Sequence, residues 1–156
     1  MCAIVVPVFK RFFQVACCLA ALLAALAIVP SLDSPGSPAT WPIYLAGSIV
    51  LGLDAIAPIL LKGRLVWAAI ALATLTGTGL GLLARQIEQC CPLALGYPYS
   101  WILDRDGWSL NIYLLGLDLL FWLCAAAAAA GLILGIRHLL TTRLPRPDTA
   151  PTRTRC

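Results

Sequence analysis

The chain has 156 residues, 61% of them hydrophobic and 12% charged, with a formal net charge of +4. Soluble domains carry about 25% charged residues, so a single water-facing globule cannot hide this apolar surface, and lipid must be the solvent for much of it. The excess of 11 Lys and Arg over 7 Asp and Glu is not interleaved with exposed aromatics in any one region, which argues against nucleic acid as a partner.

A bilayer core of about 30 Å needs about 20 apolar residues per helix, and the sequence predicts four such spans. The first, Phe12 to Pro30, is interrupted only by Gln14 and follows Lys10 and Arg11. Ala25-Leu26-Ala27 has the form of a signal-peptidase site, but the apolar run continues through Ile28 and Val29, which favours a retained helix. The polar connection SLDSPGSPAT reads as a turn without chemistry. The second span, Trp41 to Leu61, carries Asp54 inside it and Pro58 one turn further on. Lys62 and Arg64 form a tight turn to the third span, Leu65 to Ala84. There Ala69, Ala73, Gly77 and Gly81 recur at four-residue steps, a spacing that lets helix backbones approach in lipid.

The connection from Arg85 to Asn111 is long and crowded with aromatics, too apolar for disorder. Tyr97, Pro98, Tyr99, Trp101 and Trp108 are expected either to anchor at the headgroup level or to form a folded cap that meets a partner or covers a cavity. The fourth span, about Leu110 to Ile136, contains Asn111 and Asp118 and a second small-residue column, Ala127, Gly131 and Gly135. From His138 onward the chain reads as a disordered basic tail that touches anionic lipid.

Positive flanks stay cytoplasmic. Lys10, Arg11, Lys62, Arg64, Arg137, Arg143, Arg146, Arg153 and Arg155 fall on one side and only Arg85 and Arg105 on the other, which predicts both termini inside. Cys90-Cys91 lacks the Cys-x-x-Cys spacing of a thiol oxidoreductase, and His138, the only histidine, is far from any cysteine pair, so no metal site is expected.

The segment LGLD occurs twice, ending at Asp54 and at Asp118, each time after an Ile-Tyr-Leu. Two helical hairpins, roughly 12–64 and 65–137, related as a parallel repeat would explain this, as would coincidence. Counting the helical rise places the two carboxyls about 6 Å apart in depth. An intramembrane carboxylate costs at least about 2.5 kcal/mol, so each Asp should face the bundle interior and find donors. The candidates are Thr74, Thr76, Thr78, Ser48 and Asn111, with Arg85 reaching toward Asp118 and Trp122 adding its indole N–H. Such residues serve either as hydrogen-bonded glue between helices or in proton or cation movement.

The loop GYPYSW, Gly96 to Trp101, followed by LDLLFW, Leu117 to Trp122, resembles small uncharacterised bacterial polytopic membrane proteins with a Gly-aromatic-Pro loop before a final helix bearing Asp and Phe-Trp. The resemblance covers a few dozen residues and implies only that these segments belong together. The expectation is an all-α, four-helix transmembrane bundle over residues 1–137, in a bacterial inner membrane, without catalysis, metal or cofactor. It would be a complex subunit or immunity-type protein that meets lipid and either its own copies or another membrane protein. The rival expectation is an oligomeric ion- or proton-coupled channel or carrier using Asp54 and Asp118. A thiol enzyme survives only if Cys90 and Cys91 are redox-active.

Overall fold

In a computed structural model the chain is mostly helical, with four α-helices and a small antiparallel sheet. The description covers residues 2–32, 40–57, 60–88, 91–104 and 108–143. Pro58, Cys90, most of the first connection and the tail beyond Arg143 lie outside it.

Helix α1 spans Cys2–Leu32, α2 Trp41–Ile56, α3 Arg64–Gly81 and α4 Ile112–Arg143. Three of them contain stretches long and apolar enough to cross a membrane: Lys10–Leu32, Arg64–Gly81 and Ile112–Thr142. Helix α2 is shorter than the expected Trp41–Leu61 span. Its 16 residues rise about 24 Å, less than a bilayer core of about 30 Å. The reason is local: Ala57 adopts an extended conformation, φ −133° and ψ 96°, as a residue preceding proline is driven to do. Helix α4 runs past the expected end at Ile136, so residues 138–143 are helical rather than tail.

Contacts between named side chains fix the helix directions. Tyr44, Gly47 and Val50 of α2 meet Leu117, Cys124 and Gly131 of α4 in the same order, so these helices run parallel. Cys17 of α1 meets Asp54 near the end of α2, while Ala24 and Ala27 join Tyr44 and Leu51 in the core, so α1 and α2 run antiparallel. Gly77 of α3 lies against Trp122, and Ala73 and Val66 share a groove with Ala126 and Leu134, so α3 is antiparallel to α4. The result is an up-down-up-down arrangement in which α4 touches all three other helices. Large apolar side chains such as Leu22, Leu26, Val29, Leu72, Leu75 and Leu132 face outward.

The long connection is not an unstructured loop. It forms four strands, β1 Arg85–Glu88, β2 Cys91–Leu95, β3 Ile102–Asp104 and β4 Trp108–Leu110, paired antiparallel in chain order. One row of the sheet joins Arg85, Leu95, Ile102 and Leu110. Strands of three to five residues leave little alternation to read, and this is why the sequence shows only an aromatic loop there. Residues 96–101, between β2 and β3, fold down onto the helices and start α4 through the Asn111 N–H, which donates to the Trp101 carbonyl at 2.8 Å. We call the sheet and this segment the cap.

Candidate functional site

The polar groups of the interior fall into two separate clusters. The first closes the corner between α2 and α3. Asp54 is 2% exposed; its carboxyl accepts the Leu61 N–H at 3.4 Å and the Cys17 thiol at 3.7 Å. The Leu61 carbonyl in turn accepts the Trp67 indole N–H at 3.1 Å. The chain reverses here through Gly63, whose φ of +109° suits a residue without Cβ. The carboxylate thus supplies an acceptor to a backbone amide of the turn between α2 and α3. None of Thr74, Thr76 or Thr78 is among its partners: Thr74 bonds back to the Ile70 carbonyl at 2.9 Å, and Thr76 is exposed.

The second cluster lies under the cap. Asp118 is fully enclosed, and neither carboxyl oxygen has a direct hydrogen-bond partner. The groups directed at it are the Tyr99 backbone amide and the Trp101 indole, and the Trp101 Nε1–H is itself buried without a direct partner. Tyr44 is also fully buried and donates its hydroxyl to the Leu117 carbonyl at 2.8 Å. The Tyr99 hydroxyl meets Thr40 Oγ1 at 3.2 Å. Thr40 stands at the N-cap of α2 yet makes no side-chain capping bond, because its hydroxyl is turned to the cap.

Three further contacts hold residues 96–101 in place. The Trp122 indole N–H donates to the Tyr97 carbonyl at 3.0 Å. A Cβ added to Gly81 would lie 2.9 Å from that same carbonyl oxygen. Gly96, with φ +127°, lies so close to the Tyr99 carbonyl and the Trp101 ring that a Cβ there has no room, and the Tyr97–Pro98 peptide is cis.

Several expected residues take other places. Asn111 caps α4, its Oδ1 accepting the Leu114 N–H at 3.1 Å, and the expected Asn111–Asp118 pairing is absent among the described contacts. Arg85 pairs through its backbone in β1, and its side chain lies outside the described residues. Thr78 is buried with its hydroxyl unpartnered. Of the expected anchoring aromatics, Tyr97 and Trp108 are exposed, whereas Trp101 is buried and Pro98 and Tyr99 turn into the cap–helix contact. Gly77, Gly81 and Gly131 sit in close helix contacts, against Trp122, Tyr97 and Val50. Gly135 faces open space, and Ala69 and Ala73 line a groove of about 310 Å³. Gly47, absent from both small-residue columns, makes the closest approach, to Cys124. Tyr44, Thr40 and Gly47 escaped the sequence reading; the one available signal was their spacing of four, three and four residues, which puts Thr40, Tyr44, Gly47 and Leu51 on one face.

The two aspartates are far apart in depth. Asp118 neighbours Leu117, which Tyr44 contacts, and ten residues of α2 from Tyr44 to Asp54 rise about 15 Å. Neither carboxylate lines either groove between the helices. Among the described residues there is no group of three metal-ligating side chains; Cys17 and Cys124 are buried free thiols and Cys18 an exposed one. Compared with protein-family models, curated proteins and solved structures, the chain matches none.

Proposed function

We propose that this chain is an integral membrane protein of four spans, with both termini on the basic, cytoplasmic side of a bacterial inner membrane. It serves as a non-catalytic interaction or accessory subunit. The observation that supports this reading best is how its intramembrane polar groups are used. Asp54 closes a chain reversal and the cap is tied to α4 by Trp122 and Asn111. Tyr44 and Thr40 join α2 to α4 and to the cap. Polar groups so placed define helix order and cap position, leaving the outer surface of the helices apolar.

The rival reading, an oligomeric proton- or cation-coupled channel or carrier, draws on one feature, the enclosed Asp118 carboxyl without a direct partner. The depth difference between Asp54 and Asp118 works against a relay from one to the other. Purified protein in vesicles separates the two readings. The accessory reading expects no proton or cation flux from wild type, and expects Asp54→Asn and Asp118→Asn to fold and remain equally silent. Flux abolished by either substitution in a folded protein would overturn it. Photocrosslinking from the exposed positions Tyr97 and Trp108 would then identify the protein that meets the cap.

A further inference from the structure

The Phe13 and Trp67 rings meet edge to face with centroids 4.3 Å apart, joining α1 to α3 at the end opposite the cap. Lys10 precedes Phe13 by three residues and Arg64 precedes Trp67 by three. In a helix the i−3 position lies on the same face, one turn back. Since α1 and α3 run in the same direction, Lys10 and Arg64 emerge side by side, one turn beyond the ring pair. Arg11 and Lys62 flank them, and all four are exposed. The carboxyl of Asp54 near this corner is buried and engaged by Leu61 and Cys17. On the cap side of the ring pair, α1 parts from α4 and α3 and leaves an apolar groove of about 800 Å³, which begins at Ala16 and Leu19 and passes Thr74 and Gly116. From Arg11 to Ala16 the helix rises about 8 Å, so the cations and the groove are adjacent along α1.

From this arrangement we infer that the Lys10–Arg11–Lys62–Arg64 corner binds the headgroup of an anionic phospholipid whose acyl chain lies along the α1–α4 groove. The charges supply the complementarity to a phosphate, the Phe13–Trp67 pair forms the floor at the headgroup level, and the groove takes the chain. Basic pockets between spans on the cytoplasmic side hold anionic headgroups in this way. This site differs from the cap cluster and uses none of its residues. It rests on the membrane-spanning reading.

The test is native mass spectrometry of the detergent-purified full chain, titrated with phosphatidylglycerol or with phosphatidylethanolamine of the same acyl chains. Wild type is expected to retain phosphatidylglycerol preferentially. Lys10→Gln combined with Arg64→Gln removes two cations and should weaken retention about thirtyfold. The swap Lys10→Arg with Arg64→Lys should preserve it, as should Arg137→Gln with Arg143→Gln, which removes the same charge elsewhere. Equal losses from both charge-removing pairs, or no preference in wild type, would overturn the site. Carbonate extraction of membranes keeps the two failures apart. A chain released by carbonate takes the membrane reading down with the lipid site, whereas one retained in the membrane but without lipid preference loses only the site.

Discussion

Gly77 of α3 lies beneath the indole of Trp122 on α4, so close that an added Cβ would sit 2.4 Å from ring carbon Cε3. The same indole donates to the Tyr97 carbonyl. One residue thus sets the spacing of two helices and the height of the cap. A side chain at position 77 must displace the ring, and overpacking of this kind costs about 1–3 kcal/mol. Gly77→Leu is therefore expected to unfold at lower denaturant in an SDS titration from detergent micelles, by that amount. Gly79→Leu, with nothing within 4 Å of its Cβ, is expected to stay within about 0.5 kcal/mol of wild type. Equal behaviour of the two would mean that α3 does not pack on Trp122.

Gly47 poses the same test on the other side of α4. A Cβ there would meet Cys124 at 2.3 Å from its Cβ. Gly47→Val should lower stability by about 1–3 kcal/mol, and pairing it with Cys124→Ala should recover only a part, because the backbone of residue 124 is also close, at 2.6 Å. Full recovery would place the conflict in the thiol alone. The double-mutant cycle reads the difference directly.

Asp54 accepts the Leu61 backbone amide at the α2–α3 corner. Asp54→Asn keeps a carbonyl oxygen for the Leu61 N–H, whereas Asp54→Leu leaves that amide buried and unmatched, at a cost of about 1–3 kcal/mol. The expected order of stability is wild type, then Asn, then Leu. Cys17→Ala, which removes a long thiol contact and the packing of one buried sulfur, should change stability by less than Asp54→Leu. A Leu variant as stable as wild type would remove Asp54 from the corner.

The number of helices and the faces that bear Gly77, Gly81 and Gly131 could be read from the sequence because hydropathy and small-residue spacing are properties of single helices, whereas the ends of α2 and α4 could not. The depth of the aspartates could not. The register of α2 against α4 depends on Gly47 meeting Cys124 and Tyr44 meeting Leu117, contacts between residues far apart in the chain. The repeated LGLD illustrates the limit: identical local sequence places one carboxyl at a chain reversal and the other under a cap, because α2 ends at Ile56 with Ala57 extended, while α4 continues to Arg143. The cap was hidden for another reason. Its strands are stabilised by pairing across the sheet and the segment between β2 and β3 by contacts to Trp122 and Thr40, and a three-residue strand carries almost no periodicity of its own.

The Trp122 hydrogen bond should govern cap order more than helix packing. Trp122→Phe keeps an aromatic ring against Gly77 and removes the donor to Tyr97. A neutral hydrogen bond contributes about 0.5–1.5 kcal/mol net, so global stability should fall by no more than that. Amide exchange across residues 96–101 is expected to quicken several-fold, while exchange in the middle of α3 and α4 holds. Uniform acceleration along both helices would show that Trp122 acts through packing alone.

Asp118 offers the last and sharpest contrast with Asp54. Its carboxyl is enclosed, faces the Tyr99 amide and the Trp101 indole, and makes no direct hydrogen bond. A buried polar group in that position costs free energy, and an apolar residue of similar shape removes the cost. Asp118→Leu is accordingly expected to match or exceed wild type in SDS unfolding, with Asp118→Asn close to wild type. Exchange at Tyr99 should rise in the Leu variant, since its amide loses the facing oxygen. A loss of more than about 2 kcal/mol in Asp118→Leu would exceed the net value of a neutral hydrogen bond. It would show that the carboxyl holds a partner the fold depends on, and would give Asp118 the same structural role as Asp54.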